Sequence, residues 1–448
     1  MRVVVLGGGE SGYGSAVLAR VKGYDVFLSD LGAIEEKYAR KLEEYCIPYE
    51  QGGHSADLIL NAGLVIKSPG IPDAAPIVEA LTGKGVPVIS EIEFAGRFTN
   101  GKTICVTGSN GKTTTTTLIY EILRAAGYDV ASGGNIGESF AYTVATADRE
   151  WYVLELSSFQ LDGMFDFRAD IAVLMNITPD HLDRYGYDFD RYAESKFRII
   201  RNQRPEDFFI FCLDNKTVEG KIRELRPAMK LLPFSARELS GTGAWLGADG
   251  TFTAREGTRE LSVDTSRMKI KGLHNAYNAM AAAMAAMAAG VEDDIIKETI
   301  YDFPGVEHRM EFVAEIDGVE YVNDSKATNV DSAWYALESM KRPVVWIAGG
   351  TDKGNDYGPL KEFAAQKVKV LVCMGADNAK LKESFVGVVP TIYDTHSMEE
   401  AMVACAKTAT EGDTVLLSPA CASFDLFKNY EDRGRRFKAA VHKLKEGK

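Results

Sequence analysis

No stretch of this chain approaches the run of about 18 apolar residues that a membrane-spanning helix needs, so none of it is expected to cross a bilayer. Cysteine is sparse. The six residues, at 46, 105, 212, 373, 405 and 421, form no C-x-x-C pair, and most lie in apolar runs. That usage fits reduced core thiols in a cytosolic protein. Positive charge is in short supply: 51 Lys and Arg against 64 Asp and Glu give a net charge of −13. A nucleic-acid partner held through its phosphates is therefore not expected, although local basic sites can still hold a small anionic substrate. Repeats at solenoid periods are absent, and the one low-complexity tract is an Ala/Met segment near 276–289. The opening MRVVVLGGG lacks the apolar region and cleavage site of a signal peptide and predicts a strand and glycine loop, consistent with a cytoplasmic location. With 46% hydrophobic and 26% charged residues the composition is that of a soluble globular protein, and 448 residues allow two to four domains.

The stretch richest in chemistry is Lys102 to Thr117. The β-branched run Thr103 to Thr107 leads into Gly108, Ser109, Asn110, Gly111, Lys112, Thr113 and Thr114. Leu118, Ile119, Ile122 and Leu123 then share one helical face. Strand, glycine loop and helix N-terminus together make a phosphate cradle, because the loop N–H groups can turn inward and the helix adds positive potential. Lys112 would reach the terminal phosphates and the Thr113 hydroxyl would ligate Mg²⁺. The loop is a shortened G-x-x-G-K-T: the full Walker pattern needs Gly where this chain has Val106.

Arg2 to Leu6 predicts a buried strand, followed by G-x-G-x-x-G over Gly7 to Gly12, a helix over Ser15 to Lys22, and a second strand ending in Asp30. This dinucleotide fingerprint predicts a Rossmann-like first domain and, on its own, NAD with Asp30 on a ribose hydroxyl. Further strands are expected at Leu64 to Lys67 and Val86 to Ser90, with a first boundary near 96–99. In the second domain, Trp151 to Leu156 reads as a buried strand that carries Glu155, and a buried carboxylate is costly unless paired or on a metal. Asp180, His181 and Asp183 follow the strand Ile171 to Met175; they suit either a divalent cation or a capped turn. Residues 240–270 predict peripheral hairpins, Ala276 to Ala289 a packing helix, and Phe303 to Val306 a second boundary. Strand candidates then recur at Val344 to Ala348, Val368 to Met374, Thr391 to Tyr393 and Thr414 to Leu417. Three strand-end loops, at 323–329, 349–354 and 418–425, collect polar residues where doubly wound sheets bind ligands.

These motifs occur together in one order: VTGSNGKTT, GGNIG, LELSSFQL, DHLDRY followed by Lys196, G-x-HN-x-x-N, His308-Arg309, NDSKATN, GGTDKG and SPACASFD. In that order, over nearly the whole chain, the sequence resembles the Mur ligases, the ATP-dependent amide ligases of bacterial cell-wall synthesis. NDSKATN and SPACASFD are closest to the members that add D-glutamate. The resemblance implies three α/β domains: a Rossmann-like UDP-substrate domain at 1–97, a central P-loop ATPase-type domain at 98–305, and a Rossmann-like amino-acid domain at 306–448.

The resemblance also implies the partners, UDP-N-acetylmuramoyl-L-alanine and D-glutamate, with ATP and two Mg²⁺ ions as cofactors, and a monomer is expected. The reaction would form an acyl phosphate on the acceptor carboxylate and release ADP and phosphate. Catalysis falls to Lys112, His181 and Lys196. Gly108 to Thr114 with Asn275, Asn278, Arg309 and Asp324 would bind ATP. Thr113, Glu155, His181 and a carbamylated Lys196 would hold the two ions. Glu10, Ser11, Asp30, Ser68, Gly70, Asn135, Ser157 and Gln160 would bind the UDP substrate. Thr328, Lys353, Ser423 and Tyr430 would bind D-glutamate. Three alternatives stand beside this reading: an NAD-dependent oxidoreductase, which leaves the Lys112 loop unexplained; a non-catalytic nucleotide sensor on the same fold; and a related ligase for a different amino acid.

Overall fold

The computed structural model describes residues 1–180, 182–352 and 354–446, with all their side chains except those of Asp183 and Glu446. Two of the residues singled out above, His181 and Lys353, lie outside the described residues. Among the described residues there are three β-sheets. The chain divides into two compact units. Unit 1 comprises Met1–Met268 and Ala276–Asp302; unit 2 comprises Lys269–Asn275 and Phe303–Lys448.

Unit 1 holds two sheets. The first contains β1 (Arg2–Leu6), β2 (Asp25–Asp30), β3 (Tyr49–Gln51), β4 (Leu64–Lys67) and β5 (Val88–Ile89), in the order β3-β2-β1-β4-β5. All of its pairings are parallel. The β1 segment RVVVL is apolar on both faces, as a strand covered by helices on each side must be. The following helix, Glu10–Val21, begins inside the glycine fingerprint, earlier than the expected Ser15. Gly12 makes that possible: a Cβ there would stand 1.8 Å from the Gly7 carbonyl oxygen. The strand order reverses between β1 and β4, so the loops after these two strands flank the sheet's switch point.

The second sheet contains β6 (Lys102–Thr107), β7 (Val130–Gly134), β8 (Trp151–Glu155), β9 (Ile171–Leu174), β10 (Phe208–Cys212), β11 (Lys230–Ser235), β12 (Gly243–Leu246), β13 (Thr251–Glu256) and β14 (Arg259–Asp264). Their order is β14-β13-β12-β11-β10-β9-β6-β8-β7. β6 lies between β8 and β9, so the phosphate loop springs from inside the sheet. The expected hairpins of 240–270 do not stand apart. β12 pairs parallel with β11 through Phe234 and Ala244, and β13 and β14 extend the same sheet antiparallel. The helix Leu273–Ala289 has Ala279 to Ala286 fully buried, because its small residues leave no polar face to keep in water.

Unit 2 holds the third sheet: β15 (Glu311–Ile316), β16 (Val319–Asn323), β17 (Val344–Ala348), β18 (Val368–Met374), β19 (Thr391–Thr395) and β20 (Thr414–Leu417), in the order β15-β16-β20-β17-β18-β19. β15 is antiparallel to β16 and the other pairings are parallel. Val345, Ile347, Val415 and Leu417 face one apolar cluster with Met398, Met402 and Phe437. Val344, Trp346, Leu371 and Leu416 face another with Leu337 and Phe385. Helices thus cover both faces. No helix among the described residues is long and apolar enough to cross a membrane.

Candidate active site

The phosphate loop is built from backbone geometry that only glycine adopts without strain. Gly108 and Gly111 have φ of 149° and 84°, and Gly111 starts the 14-residue helix Lys112–Ala125 from the left-handed region. A Cβ on Gly111 would stand 2.6 Å from Asn278 Oδ1. Asn176 fixes the loop's outer turn: its side chain accepts from the Asn110 N–H at 2.8 Å and donates to the Asn110 carbonyl at 3.1 Å. The Ser109 hydroxyl meets the Thr178 carbonyl and the Tyr192 hydroxyl, each at 2.9 Å. Lys112 folds back over the loop, its Nζ donating to the carbonyls of Gly108 at 2.8 Å and Ser109 at 2.9 Å.

Lys196 meets the same oxygen. It lies in the helix Phe189–Phe197, is buried, and its Nζ donates to the Gly108 carbonyl at 2.9 Å, 4.8 Å from the Tyr192 ring centroid. Burial first, and the charge of Lys112 second, hold this amine well below the usual lysine range. Glu155 ends β8, in register with Val106 of β6, so its carboxylate stands level with the start of the phosphate loop. Asn135 donates to Glu155 Oε1 at 2.8 Å. Thr113 and Glu155 are both buried and offer hard oxygen donors, the set that Mg²⁺ takes. The hydroxyl of Thr114, in the first turn of the loop helix, is buried without a hydrogen-bond partner among the described residues, as is Gln160 Nε2. Groups left so at a strand-end loop fit a polar ligand. Ser157 and Gln160 form a capping box on the helix Ser158–Asp162, which fixes the Gln160 oxygen and leaves that nitrogen over.

The first glycine loop is arranged differently. Asp30 accepts from the N–H groups of Gly8 at 2.5 Å and Gly32 at 2.7 Å. Glu10 accepts from the hydroxyls of Tyr13 at 3.3 Å and Tyr38 at 2.8 Å, and from the Ser139 N–H at 3.2 Å. Both carboxylates thus belong to the loop's own scaffold. The Ser139 hydroxyl and the Ala141 N–H donate to Glu91, a fully buried carboxyl that desolvation pushes up to about 7. The Ser68 hydroxyl is buried with no partner among the described residues, and Gly70 is exposed beside it.

In unit 2, Asp324 follows β16 and accepts from the Met310 N–H at 3.2 Å and the Ser418 hydroxyl at 2.8 Å; burial pushes its carboxyl up to about 7. Arg309, whose charge opposes that rise, has a buried Nε without a partner among the described residues. Asn275 donates to the Lys271 carbonyl at 2.8 Å. Thr328, Ser423 and Tyr430 sit on or beside the strand-end loops, where the Ser325 hydroxyl donates to the Tyr430 carbonyl at 2.8 Å. The sequence reading passed over Arg433. It is buried, and it donates to the carbonyls of Ser325 (2.9 Å), Cys421 (3.2 Å) and Gly349 (3.4 Å), one from each of the three strand-end loops. A lone Arg in a charged helical stretch carries no signal of such a role. The same holds for Glu91. Glu307, His308 and Glu311 also cluster, with Lys438 on both carboxylates at 2.8 and 2.6 Å, which makes an ion-pair cluster of them.

Three family models match in chain order: the Mur ligase MurD-like N-terminal domain over residues 1–90, the Mur ligase middle domain over 106–286, and the Mur ligase glutamate ligase domain over 308–421. The chain is 51% identical over 443 residues to the UDP-N-acetylmuramoylalanine–D-glutamate ligase of Porphyromonas gingivalis W83, covering 99% of this chain and 98% of that one. It belongs to the Mur ligase family. The ligase of the same name from Bacteroides fragilis NCTC 9343 is 50% identical over 444 residues, 99% of this chain and all of the other. Among solved structures, the fold of this Mur ligase is similar to UDP-N-acetylmuramate-alanine ligase MurC of Thermotoga maritima, with a TM-score of 0.64 and 20% identity over the whole of both chains. It is also similar to a pseudomurein peptide ligase type C of Methanothermus fervidus, with a TM-score of 0.63 and 20% identity over 99% of each. Membership in a family of ATP-dependent ligases accounts for the Lys112 loop and sets aside the nicotinamide reading of the first glycine loop.

Proposed function

We propose that this Mur ligase joins D-glutamate to UDP-N-acetylmuramoyl-L-alanine in the cytoplasm, as a monomer, at the expense of ATP. The observation that carries the reading is the 51% identity to a ligase of that name across essentially the whole of both chains. We assign residues 1–97 to the UDP substrate, 98–305 to ATP and 306–448 to the amino acid.

A carboxylate cannot expel hydroxide at neutral pH, so ATP first converts the alanyl carboxylate into an acyl phosphate, whose leaving group is phosphate. Bringing carboxylate and γ-phosphate together needs concentrated positive charge. Lys112 supplies part of it, leaving its own loop carbonyls for the phosphate. Mg²⁺ held by Thr113 and Glu155, with a second ion held by His181 and Lys196, would supply the rest as a Lewis acid. Lys196 serves there as a carbamate: its neutral amine adds to CO₂ and loses a proton, giving an anionic oxygen donor. Gly108 to Thr114 cradle the nucleotide phosphates, with Asn275, Asn278, Arg309 and Asp324 completing the ATP site. Asn135, Ser157 and Gln160 hold the muramoyl-alanine part, and Glu10, Ser11, Asp30, Ser68 and Gly70 frame the uridine diphosphate. Thr328, Lys353, Ser423 and the Tyr430 backbone position D-glutamate, whose neutral amine attacks the acyl phosphate. The test is phosphate release measured across UDP-muramoyl acceptors and amino acids. UDP-N-acetylmuramoyl-L-alanine with D-glutamate is the pair expected to turn over. Preference for another acceptor or amino acid overturns the assignment.

A further inference from the structure

The crevice at the switch point of the first sheet lies between the loop after β1 and the loop after β4. The two loops touch: a Cβ on Gly7 would stand 2.6 Å from Ser68 Oγ. A nucleoside diphosphate placed here brings two phosphate charges into a loop that already carries the carboxylates of Asp30 and Glu10. Positive charge must therefore come from elsewhere. Lys67, the nearest in sequence, is engaged by Asp73 at 3.1 Å and the Ile71 carbonyl at 2.7 Å.

Arg184 reaches the crevice from the other side. It lies in the 3₁₀ turn Leu182–Tyr185 of the central domain. Its guanidinium carbon sits 4.4 Å from the Phe159 ring centroid, and Phe159 is stacked in turn on Tyr185 at 6.1 Å. That stacking fixes the guanidinium plane. Its Nη1 and Nη2 point at the carbonyls of Gly70 and Pro69, both at 3.4 Å. These are long contacts to neutral acceptors, weak use of a fork suited to two anionic oxygens. The Ser68 hydroxyl, one residue before Pro69 and facing the first glycine loop, is buried without a partner among the described residues and adds a donor from the same loop.

We propose that Arg184 binds the diphosphate of the UDP substrate and is the residue that makes the site prefer a charged nucleotide over an uncharged nucleoside. This rests on the UDP-substrate reading above. The test is calorimetric titration of the full-length protein with UDP and with uridine, for wild type, Arg184→Gln and Arg184→Lys. Arg184→Gln is expected to weaken UDP by about tenfold to a hundredfold, the loss of charge-assisted hydrogen bonds, and to leave uridine within about twofold. Arg184→Lys should recover part of the loss, most clearly at low salt. Equal weakening of UDP and uridine would mean that Arg184 only ties the two loops together, and unchanged UDP affinity would mean that it does nothing here; either overturns the proposal. A wild-type protein that binds neither ligand overturns the UDP-substrate reading itself, and the proposal with it.

Discussion

Lys112 and Lys196 each donate to one oxygen, the Gly108 carbonyl, at 2.8 and 2.9 Å. Two full positive charges that close repel strongly, and Lys196 is the one buried, so burial and the charge of Lys112 together hold its amine well below the usual lysine range. On the reading proposed above, a neutral amine at this position would be a nucleophile for CO₂, and the resulting carbamate would turn a repulsive neighbour of Lys112 into an attractive one. Lys196→Ala is expected to be inactive and partly restored by small carboxylic acids. Lys196→Arg should be inactive and resist rescue, since its fixed charge fills the space. Labelling with ¹³C-bicarbonate that yields no carbamate signal in the active enzyme would reject the modification. Glu91 is the opposite case, a carboxyl that burial favours in its protonated form, faced by Ser139, the Ala141 N–H, Ser11 and Glu10. Its folded-state value of about 7 exceeds the ordinary 4.5, so between those values the folded state binds more protons than the unfolded. Stability from this group therefore falls as pH rises from 4.5 to 7 and stays low above, by on the order of 3 kcal/mol. Glu91→Gln, which keeps an acceptor for Ser139, should match wild type near pH 5 and melt progressively higher than wild type as pH approaches 8. A melting difference that does not grow with pH would show that Glu91 is ionised without cost.

The elements of unit 2 meet at Arg433, in the first turns of the helix Tyr430–Glu446. Its guanidinium joins the loops after β16, β17 and β20, and the last two are zipped further by the Thr351 N–H on the Ala422 carbonyl at 2.8 Å. Burial lowers Arg433 to about 10, so it stays charged at neutral pH. Arg433→Met leaves three buried carbonyls short of a donor and should cost roughly 3 kcal/mol. The KM for D-glutamate should rise more than the KM for ATP, because the loops that carry Thr328 and Ser423 lose their common anchor. Steady-state kinetics beside thermal unfolding would check both, and wild-type values in both would remove Arg433 from the scaffold. The contrast with the phosphate loop explains what residue order can reveal. Gly108 to Thr114 lie in one contiguous strand-to-helix stretch whose spacing carries the signal, and Glu155 stands out as a carboxylate within an apolar strand. Arg433 works through a contact 108 positions away in the chain, and Arg184 lies against a loop 115 positions away, and no local pattern encodes such a distance. Strand positions such as β17, β18 and β20 were legible for the same local reason: buried parallel strands are short apolar runs. The start of the Glu10–Val21 helix was not, because it depends on Gly12 meeting Gly7 across the turn.

At the scale of the whole molecule, the residues proposed for each substrate divide unevenly between the two compact units. Every residue assigned to the UDP substrate, from Glu10 to Gln160, lies in unit 1, as does the Lys112 loop. The residues assigned to D-glutamate lie in unit 2. The unit boundaries fall within the chain at 268/269, 275/276 and 302/303, so neither unit is a single stretch of sequence. Chains of this size with separate cores commonly unfold in more than one step. A ligand that binds only one folded unit stabilises that unit by RT ln(1 + [L]/Kd), about 2.7 kcal/mol at a hundredfold excess over Kd. For a unit of this length that corresponds to a rise of about 5 °C in its own melting temperature. Scanning calorimetry of the full chain is therefore expected to resolve two transitions, of which UDP at a hundredfold excess raises one. Trp346→Ala, which empties the centre of the third sheet's core, identifies the other by lowering it. If UDP instead raises the transition that Trp346→Ala lowers, or shifts both alike, the UDP substrate is not held by unit 1 alone.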